Sequence, residues 1–243
     1  MNMFIVLLLL FFVQKNPMFN KHGCPSTYGI NTYVKNNEQN LIQEYEYKID
    51  TLYDINIYTE DLSKTSDDDL GQFYIPDYIV ITNLEVFAAY EFQNLSKFKQ
   101  QTISYTERTV KGVIFHELTH AYFYQTVIIM RNENKTVSPE YSTFKMYSTA
   151  SMKFSVDFIE EGICEYVIHN LKESAKLKNI VIPETEADLL DNKINTLYCY
   201  SVYFLQDFLD KQGLKKGMEI LINNKPPTLE EILKPELFFK RLK

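Results

Sequence analysis

Residues Val113 to Tyr122 read Val-Ile-Phe-His-Glu-Leu-Thr-His-Ala-Tyr, and the reading of this stretch decides the fold. Its apolar residues leave almost no polar face, so the spacing predicts a buried helix, running from about Glu107 to Met130. At 3.6 residues per turn His116 and His120 stand one above the other on one face. Two imidazoles so placed can share one metal ion, and zinc suits them well. The Glu117 carboxylate then points toward a water on that ion. Burying two imidazoles and a carboxylate without such a purpose is costly, because each gives up its water.

Working outward, a catalytic zinc takes a third protein ligand and keeps a position for water. With four histidines in the chain, only His22 and His169 remain as imidazole candidates. A carboxylate is the better reading. Phe158 to Tyr166 (Phe-Ile-Glu-Glu-Gly-Ile-Cys-Glu-Tyr) surrounds its acids with apolar residues and falls in a helix expected over Lys153 to Lys172. Glu165 shares a face with Glu161 four residues earlier. A carboxylate there can accept the second ring N–H of a ligating histidine and fix its tautomer.

These two segments together resemble the gluzincin metallopeptidases. The match rests on His116-Glu117-Leu118-Thr119-His120, then Glu160-Glu161-Gly162 with Glu165-Tyr166, then the stretch from Tyr198 to Gly213. It covers residues 107 to 223. The resemblance implies a zincin-like α+β fold: a small mixed N-terminal sheet lobe, a helical C-terminal lobe, and a metal cleft between them. It implies one zinc per chain held by His116, His120 and Glu161, with Glu117 as general base. It also implies an oxyanion donor from the later helix. Tyr198 aligns best with that role, Tyr200 and Tyr203 are alternatives, and His169 is a weaker one. The expected substrate is a peptide or protein. The spacing from His120 to Glu161 is longer than in the aminopeptidase branch, with 131 to 151 as an insertion. No Gly-Ala-Met-Glu-Asn-like motif is present, so aminopeptidase activity is not implied. The competing expectation is a catalytically silent zinc-binding protein of the same fold, against which an intact Glu117 speaks.

The N-terminal half is read from its own pattern. Residues 17 to 35, with Pro17, Gly23, Pro25 and Gly29, read as an irregular lead-in, and 36 to 243 as one metallopeptidase domain. A helix is expected over Asn37 to Asp50, where Leu41, Ile42, Tyr45 and Ile49 recur at helical spacing. Tyr53, Ile55 and Ile57 alternate with polar neighbours as in a half-buried strand. Residues 60 to 72, with Asp67, Asp68 and Asp69, read as a solvated loop without the spacing of a calcium site. Tyr78 to Thr82 is a second strand, which family analogy makes the sheet edge that pairs with an extended substrate. A third helix is expected from Asp191 to Lys211, closed by Gly213.

Composition sets the bounds. The chain has 243 residues, 45% of them apolar and 23% charged, as in a soluble globular protein able to bury a core. A net charge of −7 without a basic run argues against nucleic acid as the partner. Met3 to Val13 is uninterrupted apolar and too short for an ordinary span. Residues 1 to 16 therefore read as a signal peptide or N-terminal anchor, and the protein as secreted or membrane-anchored. An anchor would be its one membrane contact. Asn94 and Asn134 head glycosylation-type triplets. Cys24, Cys164 and Cys199 show no metal-ligand spacing, and the last two read as small buried hydrophobes.

Overall fold

The computed structural model describes residues 27–59, 71–81, 99–141, 149–171, 180–192 and 195–242. Residues 1 to 26, which include the apolar N-terminal run, His22 and Cys24, lie outside them, as do the Asp67 to Asp69 run and Asn94. The described residues are mostly helical and fall into two compact units. One comprises residues up to Lys48 together with Asp54–Ile114, the other Ile49–Tyr53 together with Phe115 onward.

In the first unit, helix α1 (Thr27–Lys48) buries Val34, Leu41, Ile42 and Tyr45 along one stripe. Val34 stands one heptad before Leu41 and carries that stripe backward. The helix therefore starts ten residues before the expected Asn37, and the lead-in assigned to residues 17 to 35 is helical from Thr27. Gly29, read as a loop signal, falls in its first turn. Three short strands follow, β1 (Asn56–Thr59), β2 (Gly71–Tyr74) and β3 (Tyr78–Ile81), in the order β1-β3-β2. β1 runs parallel to β3 with Ile57 opposite Ile79, and β2 runs antiparallel to it with Phe73 opposite Ile79. Ile55, Ile57 and Ile79 are buried while Asn56 and Tyr58 are exposed, the expected period of two. Tyr53, read as the start of that alternation, is 60% exposed and precedes the strand.

The placement of β3 corrects the sequence reading. Tyr78 to Ile81 is the middle strand, with backbone partners on both sides, so it has no free edge to offer a substrate. Strand order depends on long-range pairing, which local alternation does not encode. Glu38 ties α1 to the sheet by accepting from the Ile57 amide at 2.9 Å.

Helix α2 (Lys99–Asn132) has 34 residues, about 50 Å at 1.5 Å per residue. It begins eight residues before the expected Glu107. Its residues through Ile114 belong to the first unit, and Phe115 onward to the second. There it is joined by α3 (Ala150–Asn170), whose N-cap Thr149 accepts from the Met152 amide at 3.1 Å. Next come α4 (Glu186–Asp191), a π-helical turn (Thr196–Tyr200), α5 (Ser201–Gln212), α6 (Leu214–Asn223), α7 (Leu229–Leu233) and α8 (Pro235–Arg241). The single helix expected from Asp191 to Lys211 is thus divided. A reciprocal cap between Thr185 and Asp188 starts α4 early, and Asn192 ends it with non-helical backbone. Gly213 does close α5, at φ 77°, a conformation that favours glycine.

Two contacts fix the helices that matter for the site. Phe158, Tyr200, Phe204 and Phe238 pack ring against ring, with centroids 5.1 to 6.3 Å apart in the contacting pairs, joining α3, the π-turn, α5 and α8. Gly162 of α3 meets α5 so closely that a methyl there would lie 2.9 Å from both Ser201 Cβ and Leu205 Cδ1. Among the described residues no helix is long and apolar enough to cross a membrane.

Candidate metal centre

His116, Glu117 and His120 project from one turn and a half of α2, within the second unit. Residues Ile114, Phe115, Leu118 and Ala121 are fully buried around them, which sets this part of the helix in the core. His116 is 8% and Glu117 6% exposed, so both have surrendered nearly all their water. Glu161 and Glu165 come from α3, one turn apart on one face.

The ligand atoms converge. His116 Nε2 and His120 Nε2 are 3.2 Å apart. Glu161 Oε2 lies 3.0 Å from His116 Nε2, and Glu161 Oε1 lies 3.6 Å from His120 Nε2. A tetrahedral ion with bonds of roughly 2.0 to 2.2 Å would separate such donors by about 3.4 Å along each edge. The three observed separations bracket that length.

The far side of the ring has a partner of its own. His116 Nδ1 is 3.1 Å from Glu165 Oε1, and a carboxylate can only accept, so Nδ1 carries the proton and donates. In the neutral ring Nε2 is then a lone pair facing the cluster. Glu161 Oε2 is buried and has no hydrogen-bond partner, although it lies 3.0 Å from that nitrogen. An imidazole nitrogen and a carboxylate oxygen this close are held together by positive charge, either a proton on the ring or a metal ion among the donors. The residues present fit a divalent metal.

The electrostatics agree. Burial pulls the His116 pKa down, but the carboxylates of Glu161 and Glu165, with the charge of Glu117, lift it well above the usual imidazole range. Burial likewise lowers that of His120, and Glu161 and Glu117 raise it further than burial lowers it. Glu161, which burial alone would raise, is held far below the ordinary carboxylate range by His120 and His116. The pocket therefore holds positive charge strongly, on the rings when no metal competes.

Cys164 is the residue the sequence reading missed. His116, His120 and Cys164 each offer a ligand atom, and these atoms lie within 4.8 Å of one another in a largely buried group able to hold a metal ion. Spacing along the sequence does not show this group. The pairing is spatial, between α2 and α3, and not a short sequence interval. The available signal was the helix face, since Cys164 follows Glu161 by three residues and shares its side of α3. Cys164 is fully buried, as expected of a small hydrophobe, whereas Cys199 is half-buried and not in this group.

The tyrosine candidates separate clearly. The ring of Tyr198, on the π-turn, lies 6.0 Å from that of His116 between centroids. Tyr200 is buried and donates its hydroxyl to the Ile232 carbonyl at 2.8 Å, in the aromatic core. Tyr203 is 54% exposed and stacks on Tyr200. His169 lies two turns beyond Glu161, near the end of α3, and is not in the cluster. Comparison with family models, with curated proteins and with solved structures finds no match for this chain.

Proposed function

We propose that the protein is a zinc metallopeptidase of zincin-like fold, with the ion held by His116, His120 and Glu161. The observation that carries this reading is the set of three ligand separations of 3.0, 3.2 and 3.6 Å, closing on the buried Glu161 carboxylate. Two imidazoles and a carboxylate suit zinc, one ion per chain. Bound there, zinc would supply Lewis acidity toward a peptide carbonyl and lower the pKa of an attacking water.

The protein groups do the rest. Glu117, adjacent to His116 and buried, is the general base: it takes a proton from the attacking water and passes it to the leaving amine. Its charge reaches both imidazoles, which supports its position at the centre. Glu165 holds His116 in the tautomer that leaves Nε2 free to ligate. Tyr198 is the donor to the developing oxyanion, favoured over Tyr200 and Tyr203 because its ring lies 6.0 Å from that of His116 between centroids. The substrate is a peptide or protein.

The test compares wild type with Glu117→Gln for zinc content and for cleavage of a mixed peptide library. Equal zinc in both, with cleavage by wild type alone, is the expected result. Equal zinc with cleavage by neither would replace this reading with a zinc-binding protein that does no chemistry.

A further inference from the structure

We infer that Cys164 is a fourth protein ligand of this centre, so that the site selects a divalent cation that accepts sulfur, such as zinc, cobalt or cadmium, over magnesium, calcium or manganese. The inference rests on the metal reading above and extends it from three ligands to four.

Two observations carry it. The Cys164 sulfur stands within 4.8 Å of the ligand atoms of His116 and His120. A tetrahedral edge between nitrogen at about 2.0 Å and sulfur at about 2.3 Å from zinc is about 3.5 Å, so ligation draws the sulfur toward both rings. Second, Cys164 follows Glu161 by three residues on the same side of α3, and Glu161 is already turned to His116. No disulfide engages it.

Ligation requires the thiolate. As the cation enters, the S–H bond breaks, the proton passes to solvent, and the sulfur lone pair forms the bond to the metal. Soft sulfur alongside two imidazoles disfavours the hard cations that prefer all-oxygen shells. Four protein ligands also close the shell, so hydrolysis then needs either a fifth position or release of the sulfur.

Cobalt(II) reports the answer directly, because a cobalt–thiolate bond adds an intense near-ultraviolet charge-transfer band to the visible bands of a tetrahedral ion. The metal-free protein is titrated with cobalt(II), and the same is done for Cys164→Ser and Cys164→Ala. The wild type should show both sets of bands at one cobalt per chain. Each variant should keep the visible bands, lose the near-ultraviolet band, and bind cobalt at least about tenfold more weakly. The wild-type spectrum stands even if a variant fails to fold. Visible bands without the sulfur band in wild type would overturn this inference and leave the three-ligand reading intact. A sulfur band that survives in both variants would overturn it too. Failure of wild type to bind cobalt at all would overturn both.

Discussion

Replacing Gly162 by Ala tests how the site is held. The added methyl would stand 2.9 Å from Leu205 Cδ1, 2.9 Å from Ser201 Cβ and 3.1 Å from the Ser201 carbonyl oxygen. Carbon pairs prefer about 3.5 to 4.0 Å. The Leu205 methyl can rotate away, but the Ser201 atoms belong to the backbone of α5 or adjoin it. The two helices must therefore separate locally by several tenths of an ångström. Overpacking of this kind costs about 2 kcal/mol. Alanine returns about 1 kcal/mol through its better helix propensity. The expected net loss is about 1 kcal/mol, read as a lower urea midpoint of the metal-free protein. The functional signature is larger. Glu161 neighbours the strained position, and its displacement should weaken zinc binding by at least about tenfold, a misplacement effect disproportionate to the stability change. A variant that is more stable by about 1 kcal/mol, with unaltered zinc affinity, would refute the close α3–α5 contact and its role in placing Glu161.

Tyr198→Phe should lower the turnover number by about a hundredfold or more while leaving zinc content unchanged, and Tyr203→Phe should leave turnover within a factor of about two. Equal losses in the two variants, measured on one peptide substrate, would remove Tyr198 from the mechanism. The Asp50 carboxyl is held below its ordinary range chiefly by the Lys215 ammonium at 2.7 Å, with help from the Thr51 amide and the Tyr122 hydroxyl. Because the folded pKa is depressed, this contribution is present above the unfolded value of about 4 and is lost as pH falls through the folded one. Wild type should lose more stability between about pH 6 and about pH 3 than Lys215→Met does, by urea unfolding at each pH. Parallel losses would contradict the role of the pair.

The parts of the centre set by short helical intervals were legible in the sequence. His116 and His120 are four apart, as are Glu161 and Glu165, and helical geometry alone puts each pair on one face. The end of α5 at Gly213 was legible for a similar reason, since few other residues accept its φ of 77°. What was hidden depends on contacts between distant segments or on departures from regular period. Cys164 joins the histidines only when α3 packs on α2. The middle position of β3 follows from pairing with β1 on one side and β2 on the other. The π-turn at Thr196–Tyr200 shifts the helical period locally, and a 3.6-residue pattern does not reveal it. That turn separates the fates of Tyr198, beside His116, and Tyr200, hydrogen-bonded in the core.

The central claim is that the buried cluster on α2 and α3 exists to hold a metal. Zinc content and thermal unfolding of the purified protein, with and without a chelator, test it most directly, with His120→Ala as the comparison. At a hundredfold excess of free zinc over the dissociation constant, binding stabilises the folded state by about 2.7 kcal/mol. For a chain of this size that is a rise in Tm of roughly 5 to 10 °C, abolished by chelation and absent in His120→Ala. One zinc per wild-type chain with that shift is the predicted result. No bound metal, and a Tm indifferent to zinc and chelator alike, would contradict the account.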